Sequence, residues 1–461
     1  MKLNTAREPQ VIFPTQILEK KYVGELKGYF IPNTNCYNVL PFDDAANINE
    51  FNRYSVGFIF PTNPFRFVDP DIASQIKYVK LEEASPDEMM RRLRGGLTGT
   101  AQKYFNSDYL PAETARVIES MKQNGCMDRD NATELWLERI FMPQLYLDPA
   151  TNLGDAAGYG IVGYWENGEL YFIQMVSRRE CQKSQYSLKL DVFSRNTGIL
   201  ESDVMLEKGA MFIGCGSVGS LFALELAKAG VGRFLLIDND TFGYHNICRH
   251  QCGIYDVGRY KTDALADRIL QINPYAKIVT KNMMIQSVPL DELYAFCDKN
   301  TIVIGGADNR EGDLYANNLA QEIKMPFMSI GCWERAFAGE IFYCLPEGMP
   351  NYKDFVEVTG TISGRVNQNR QFYTTEEDLK KLTFEPGISA DINFVTTIAV
   401  KMALDLLNLD NPNYTQRLVP YLTQFTLVCN TNDMAIGGEK AAIFSYPLQV
   451  TTSIIVPYSN R

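Results

Sequence analysis

Residues 209 to 219 read Gly209-Ala-Met-Phe-Ile-Gly214-Cys215-Gly216-Ser217-Val218-Gly219, and this stretch decides the fold. An apolar run of strand character leads into a Gly-x-Gly-x-x-Gly turn, and a helical pattern starts at once. Gly214 permits the tight turn, Gly216 lets a phosphate approach the backbone, and Gly219 lets helix and strand pack closely. The free N–H groups at the start of the helix favour an anion. The stretch therefore predicts a nucleotide-binding fold.

A second apolar run ends at Asp238, about twenty residues further on, and a carboxylate at that place can hold ribose hydroxyls. From about 205 to 345, strand-like runs alternate with helical patterns, which is typical of βαβ units on a mostly parallel sheet. The expected fold class is therefore α/β, with a Rossmann-like, mostly parallel sheet. Taken alone, the glycine turn also fits a turn without a ligand, but Asp238 argues against that interpretation.

Three further motifs favour ATP chemistry over hydride chemistry. They are Asp238-Asn239-Asp240 followed by His245-Asn246-Ile-Cys248-Arg249-His250, then Arg259-Tyr260-Lys261, and finally Gly305-Gly-Ala307-Asp308-Asn309. Cations that follow the ribose acid suit an attack on phosphorus, which needs positioning and positive charge on the transition state. Nicotinamide chemistry has no use for an Arg–Lys pair there, so an oxidoreductase is the least favoured hypothesis.

In the order and spacing of these motifs the chain resembles the ThiF/MoeB/HesA family, whose relatives are the ubiquitin-activating enzymes. The resemblance covers roughly residues 195 to 407. It implies an ATP-dependent adenylyltransferase, in which an acceptor carboxylate and ATP give an acyl-adenylate and pyrophosphate. The acceptor it implies is a small ubiquitin-like or sulfur-carrier protein that reacts through its C-terminal carboxylate. It also implies Mg²⁺ and a homodimer.

The resemblance assigns roles to individual residues. ATP would be bound by Gly214, Gly216, Gly219, Asp238, Asn246 and Asn309. Asn246 together with Arg249 and Lys261 would contact the phosphates, and Asp308 would hold Mg²⁺ near the α-phosphate. Arg195 stands where the family places an arginine that reaches into the ATP site of the partner subunit. Considered singly, Arg249 and Lys261 also fit surface charges and Asp308 a helix cap, while Asp240 is interpreted as a turn residue.

The chain departs from the family in its cysteines. Relatives that form a thioester carry a cysteine in the crossover loop, but this chain has none from Leu345 to Val428. Adenylation alone is therefore the favoured hypothesis, and the possible substitutes, Cys252, Cys332 and Cys344, are interpreted as buried thiols. The Cys-x-x-Cys pairs that bind zinc in many relatives are absent. Asp313 stands where the family often has an arginine, which makes a different mode of acceptor binding conceivable.

Composition excludes several classes of function. The formal net charge of -11 gives no general attraction to nucleic acid or to an anionic membrane. The ten cysteines are scattered, which is typical of reduced thiols in a cytoplasm. We find no uninterrupted apolar run of 18 residues and no signal-peptide pattern at the start of the sequence, so we expect a cytoplasmic protein.

Two domains are expected. Residues 1–190 would form an α+β accessory domain of unknown role, with a strand at 54–60, helices at 86–93 and 112–124, and an Asn-Gly hairpin at 158–176. Residues 191–461 would form the adenylation domain. It would include an irregular polar stretch at about 346–386 within the crossover loop (about 346–391), then a helix at 394–407 and β-rich segments at 422–428 and 441–456.

Two other functions stay open at this point. One is adenylation of a ribosomally made peptide, as in the tailoring of a microcin-type product, with residues 1–190 as a leader-peptide clamp. The other is a non-catalytic scaffold that keeps the fold and binds partners without turnover. The sequence does not separate them from activation of a ubiquitin-like protein.

Overall fold

A computed structural model of the chain describes residues 7–41, 54–60, 160–174, 177, 179–307, 310–359 and 387–459. Contacts between residues divide the chain into two compact units, the second of which runs from Val192 to Arg461. None of the described helices is long and apolar enough to cross a bilayer.

The first unit contains a mixed eight-stranded sheet in the order β7-β6-β5-β4-β2-β3-β1-β8. The strands are β1 (Gln10–Pro14), β2 (Gly24–Ile31), β3 (Cys36–Val39), β4 (Tyr54–Phe60), β5 (Ile161–Glu166), β6 (Glu169–Gln174), β7 (Arg179–Glu180) and β8 (Gln182–Tyr186), with helix α1 (Gln16–Glu19) after β1. The strand expected at 54–60 is confirmed.

The expected hairpin is also confirmed. Strands β5 and β6 pair antiparallel, and Asn167 and Gly168 connect them with φ of 52° and 85°. Two successive positive φ angles match the right-handed twist of the strands, which is why Asn-Gly is favoured there. The helices predicted at 86–93 and 112–124 lie outside the described residues.

The second unit is built on another eight-stranded sheet, in the order β11-β10-β9-β12-β13-β14-β15-β16. Its strands are β9 (Gly209–Ile213), β10 (Arg233–Ile237), β11 (Lys277–Lys281), β12 (Thr301–Gly305), β13 (Phe327–Cys332), β14 (Ala338–Cys344), β15 (Phe425–Cys429) and β16 (Val450–Ile454). The first five in this order are mutually parallel, and the last three continue the sheet antiparallel. The predicted α/β class with a mostly parallel nucleotide-type core is confirmed.

Ten helices are described in the two units together. After α1 they are α2 (Leu188–Val192), α3 (Ser202–Leu206), α4 (Ser217–Lys228), α5 (Lys261–Ile272), α6 (Leu290–Phe296), α7 (Arg310–Glu322), α8 (Tyr352–Thr359), α9 (Ser389–Leu407) and α10 (Met434–Gly437). Apolar side chains on one face of the sheet pack with α7 and α8 into a single core, and the central strands are buried along their whole length. Buried strands of this kind read as continuous apolar runs, and that is why the sequence revealed them.

Two expectations for the C-terminal part were wrong in part. Of the stretch 346–386, predicted to be irregular, residues 346–359 are described and contain α8, whose Tyr352 and Phe355 are buried against the core; residues 360–386 lie outside the described residues. The segment 441–456, predicted to be β-rich, contains strand β16 but begins with the end of a 3₁₀ helix, Gly438–Ile443. In both places tertiary packing decided the local structure, because isolated short apolar runs fit a helix as well as a strand.

The order of the strands fixes where a ligand can bind. The chain runs from β9 outward to β10 and β11, and then returns to the other side of β9 with β12. The loops that follow β9 and β12 therefore leave the sheet in opposite directions, and a crevice opens between them. In parallel α/β sheets, ligands bind at this topological switch point, beyond the carboxyl ends of the strands.

Candidate functional site

A cavity of about 640 Å³ lies at the switch point of the second unit. This volume falls within the range of roughly 300–1,000 Å³ that is usual for small-ligand sites. The lining residues fall in the ranges 213–218, 237–249, 283–286, 306–312 and 330–336, together with Lys261, Gly387 and Ile392. One cavity thus brings together six of the predicted site residues, which are Gly214, Gly216, Asp238, Asn246, Arg249 and Lys261.

The glycine turn forms one wall of the cavity. Gly214 has φ of 98°, which a residue with a side chain rarely adopts. A Cβ on Gly219 would lie 2.1 Å from the carbonyl oxygen of Gly214, so the turn and α4 are in direct backbone contact. A Cβ on Gly216, the N-cap of α4, would meet no atom within 4 Å. Gly219 thus serves packing and does not line the cavity, whereas Gly216 leaves room for a ligand at the helix N-terminus.

Asp238 directly follows β10 and holds the glycine turn through a hydrogen bond with Cys215. Its Oδ2 accepts a hydrogen bond from the N–H of Cys215 (2.7 Å), and its Oδ1 accepts one from the N–H of Asp240 (2.8 Å). Burial raises the pKa of Asp238 above its ordinary value, and the nearby Lys261 ammonium opposes that shift. Each oxygen has a second lone pair, so the carboxylate can still accept hydroxyl donors.

Lys261 is the first residue of α5 and lies almost buried in the cavity wall. Only 11% of its side chain is exposed, and its Nζ is 2.6 Å from Oδ2 of Asp240. The same two residues are joined through the backbone, because the N–H of Lys261 donates to the carbonyl of Asp240 (3.1 Å). Asp240, interpreted from the sequence as a turn residue only, is therefore also the ion-pair partner of a predicted phosphate ligand.

Arg249 supplies the second cation of this wall. It is half-buried, and its guanidinium makes no hydrogen bond or ion pair with the residues that the structure describes. Asn246 also lines the cavity, but its Oδ1 accepts a hydrogen bond from the N–H of Gly243 (2.8 Å) and shapes the 3₁₀ turn Tyr244–Asn246, which precedes Arg249. A guanidinium without a counter-ion at a cavity wall is suited to an anionic ligand.

His250 supports the glycine turn from behind. It is buried, its Nε2 donates to the carbonyl oxygen of Cys215 (2.8 Å), and its Nδ1 accepts from the N–H of Cys252 (3.0 Å). Burial lowers the pKa of His250 to about 4, so the ring is neutral at neutral pH. Within the described ranges no group of three or more His, Cys, Asp or Glu side chains could hold a metal ion.

Two other residues singled out from the sequence, Arg195 and Asp313, do not line the cavity. Arg195 is exposed in the turn after α2. Asp313 lies in the first turn of α7 and is fully buried, and its Oδ2 accepts a hydrogen bond from Ser329 (2.7 Å). Asp308 and Asn309 lie outside the described residues. The roles of Arg195, Asp308 and Asn309 therefore stay predictions.

The cysteines considered for a thioester step differ in their surroundings. Cys252 and Cys344 are buried, and desolvation raises the pKa of each thiol to about 12. Cys344 is further engaged with Asn317 and Gln321, each through a 3.4 Å contact. Cys332 is half-buried at the end of β13 and lines the cavity. Thiols as basic as the first two are not nucleophiles at neutral pH.

Sequence reasoning missed another part of the cavity wall. Residues 283–286, after β11, and residues 330–336, at the end of β13 and after it, line the cavity and carry apolar side chains such as Met283 and Trp333. Arg335 and Ala336 in this part of the wall have φ of 53° and 52°. Neither segment carries a recognised nucleotide-binding motif. They reach the cavity only because β11 and β13 end at the same edge of the sheet as β9.

Comparison with known proteins places these features in a family. The model of the ThiF family matches residues 194–435. A ubiquitin-like modifier-activating enzyme 5 from Arabidopsis thaliana is 30% identical over 153 residues, which are 30% of this chain and 36% of the relative. A probable molybdopterin-synthase adenylyltransferase from Porphyra purpurea is 27% identical over 158 residues, which are 34% of this chain and 40% of the relative.

Among solved structures, E. coli MccB in complex with AMPCPP and SeMet MccA is similar with a TM-score of 0.41 and 16% sequence identity, over 56% of this chain and 66% of that one. The chain thus spans less than half the length of the two curated relatives. The family model, in contrast, covers more than half of the 461 residues and includes the whole cavity wall from Ile213 to Ile392. This chain belongs to the ThiF family.

Proposed function

We propose that this chain binds ATP at the switch-point cavity and adenylates the C-terminal carboxylate of a small ubiquitin-like or sulfur-carrier protein, with release of pyrophosphate. One observation carries the proposal. The glycine turn, Asp238, Arg249 and Lys261 line a single cavity of about 640 Å³. The relatives of this chain, a ubiquitin-like modifier-activating enzyme and a probable molybdopterin-synthase adenylyltransferase, support this type of acceptor.

The cavity suits a nucleoside triphosphate on three counts. Its glycine wall offers the first-turn N–H groups of α4, which have no acceptor inside the helix. Two cations, Arg249 and Lys261, line the same cavity as Asp238, which would hold the ribose. Met283 and Met284 add the apolar surface that a base needs.

The proposed adenylation reaction requires no further nucleophile from the protein. The acceptor carboxylate is itself the nucleophile, so the side chains have to align it with the α-phosphorus and stabilise the negative charge that develops there. Arg249 and Lys261 would do so from the wall of the cavity. Mg²⁺, which we propose Asp308 to bind, would add positive charge at the same phosphate. The proposal further includes Arg195 acting across a homodimer, residues 1–190 as an accessory domain, and a cytoplasmic location.

ATP–pyrophosphate exchange tests the proposed function. We expect exchange when wild-type protein is given a small protein that ends in glycine, and we expect Arg249→Ala and Lys261→Met to lower the rate by about 10²-fold each, the scale for removing one preorganised charge. Arg268→Ala, a solvated arginine on α5, is the matched control and should exchange at the wild-type rate.

The competing hypotheses are outcomes of the same assay. Exchange only with a short peptide would favour peptide tailoring. ATP binding without exchange under any acceptor would favour a scaffold. Rates within threefold of wild type for both cavity variants would contradict the assignment of the site.

A further inference from the structure

The ion pair between Lys261 and Asp240 is asymmetric. The lysine side chain is 11% exposed and the aspartate side chain 60% exposed, although their charged atoms are only 2.6 Å apart. Of the two carboxylate oxygens of Asp240, only Oδ2 has a hydrogen-bond partner among the described residues. The exposed carboxylate can therefore rotate into solvent, whereas the Lys261 side chain is enclosed in the cavity wall.

A nearly buried ammonium needs a counter-ion. Before a ligand enters, Asp240 supplies it. When a triphosphate enters, its oxygens compete for the same ammonium, and a carboxylate that stayed in place would repel them. The Lys261 ammonium also lies near Asp238, but its direct ion pair is with Asp240, and hydrogen bonds from Cys215 and Asp240 hold the Asp238 carboxylate in the loop.

We propose that Asp240 is a displaceable counter-ion, which holds Lys261 in position in the empty cavity and yields the ammonium to the triphosphate. This rests on the proposed function only in that ATP is the entering ligand. Asp240 is thus a positioning residue that weakens nucleotide binding, since its pair with Lys261 must be broken each time. An ion pair whose acidic partner is exposed contributes only modestly to the free energy of the empty state. Removal of the Asp240 charge should therefore strengthen ATP binding by about two- to fivefold.

The test is calorimetric measurement of the ATP dissociation constant at low and high ionic strength, with Asp240→Asn. We expect a two- to fivefold lower dissociation constant at low salt and a smaller difference at high salt. Asp240→Glu, which restores the charge, should return the wild-type value. Glu225→Gln is the matched control, because it breaks another 2.6 Å ion pair, with Lys228 on α4, away from the cavity. It should leave ATP binding unchanged.

A second experiment distinguishes displacement of Asp240 from Lys261 from simple charge repulsion between Asp240 and the triphosphate. In a Lys261→Met background, whose folding is checked by its melting temperature, Asp240→Asn should no longer alter the dissociation constant. A full-sized effect in that background would mean that Asp240 acts by repulsion through space, and it would overturn the proposal. Unchanged or weaker binding by Asp240→Asn alone would overturn it too, and a loss seen only with Mg²⁺ would assign Asp240 to the metal instead.

Tripolyphosphate, which lacks the nucleoside, keeps this inference distinguishable from the proposed function. If the wild type binds tripolyphosphate but not ATP, the proposed function fails. In that case, a lower dissociation constant of tripolyphosphate in Asp240→Asn would support the counter-ion role, and an unchanged or higher one would overturn it. If the wild type binds neither, both proposals fail.

Discussion

Gly219→Ala offers a quantitative test of how the glycine turn is built. In an ordinary helix this substitution stabilises, by about 0.5–1 kcal/mol, because alanine has the higher helix propensity. Here the new Cβ would lie 2.1 Å from the carbonyl oxygen of Gly214 and 3.1 Å from its carbonyl carbon. These two atoms belong to the backbone of Gly214, which has φ of 98°. Because they are backbone atoms, no side-chain rotation can relieve the overlap.

Inserting one carbon into a packed contact costs about 1–3 kcal/mol. The middle of this range is about 2 kcal/mol, and subtracting the gain of about 0.5–1 kcal/mol in helix propensity leaves an expected loss of about 1–1.5 kcal/mol in the stability of the second unit for Gly219→Ala. For a unit of this size that corresponds to a fall of about 2–6 °C in the melting temperature. ATP binding should weaken as well, because relief of the overlap must move the turn.

Gly216→Ser is the matched variant. Its Cβ would enter open space, and serine is favoured at a helix N-cap, so the melting temperature should not fall. ATP binding should nevertheless weaken, because the side chain stands where a phosphate would approach. Differential scanning fluorimetry and calorimetry on both variants separate the two effects. A Gly219→Ala protein at least as stable as wild type would falsify the packing argument.

Two other predictions concern titration and thiol reactivity. Because the pKa of His250 falls from 6.5 in the unfolded chain to about 4 in the folded one, its contribution to stability is present above pH 6.5 and is lost as pH falls towards 4. The loss should amount to no more than about 3 kcal/mol and should be reduced in His250→Gln, measured by urea unfolding. In native protein at pH 8, iodoacetamide should label the exposed Cys248 and spare Cys252 and Cys344, because pKa values of about 12 keep these two thiols protonated. Mass spectrometry measures the order of labelling. If Cys252 and Cys344 were labelled first, the result would contradict their burial.

The sequence predicts the parallel core well, for a physical reason. Strands that are buried on both faces appear as short apolar runs, and the switch from strand to helix is marked by Gly214, whose φ of 98° other residues rarely adopt. The resemblance to the ThiF family implies Lys261 and Arg249 as phosphate ligands, and the structure places both in the wall of the cavity with the glycine turn. Their role as phosphate ligands stays a prediction.

Other features depend on contacts that spacing does not encode. Helix α8 is amphipathic over only eight residues, and Tyr352 and Phe355 fold it onto the core although a polar stretch surrounds it. The wall that contains Arg335 depends on the antiparallel pairing of β13 with β14. The partnership of Asp240 with Lys261 joins residues 21 positions apart. A single sequence carries no signal for such pairs.

Cys215 shows how the turn is preorganised for an anion. Its N–H donates to Asp238 and its carbonyl accepts from the neutral ring of His250, so both polar groups of this residue are engaged by side chains of the protein itself. The N–H groups that follow, from Gly216 onward, belong to the first turn of α4 and have no acceptor inside the helix. Donors fixed before the ligand arrives cost no reorganisation during the reaction. Asp238 and His250 thus act on the proposed phosphate site through the backbone of Cys215, and this gives the buried ring of His250 a structural role directly behind the glycine turn.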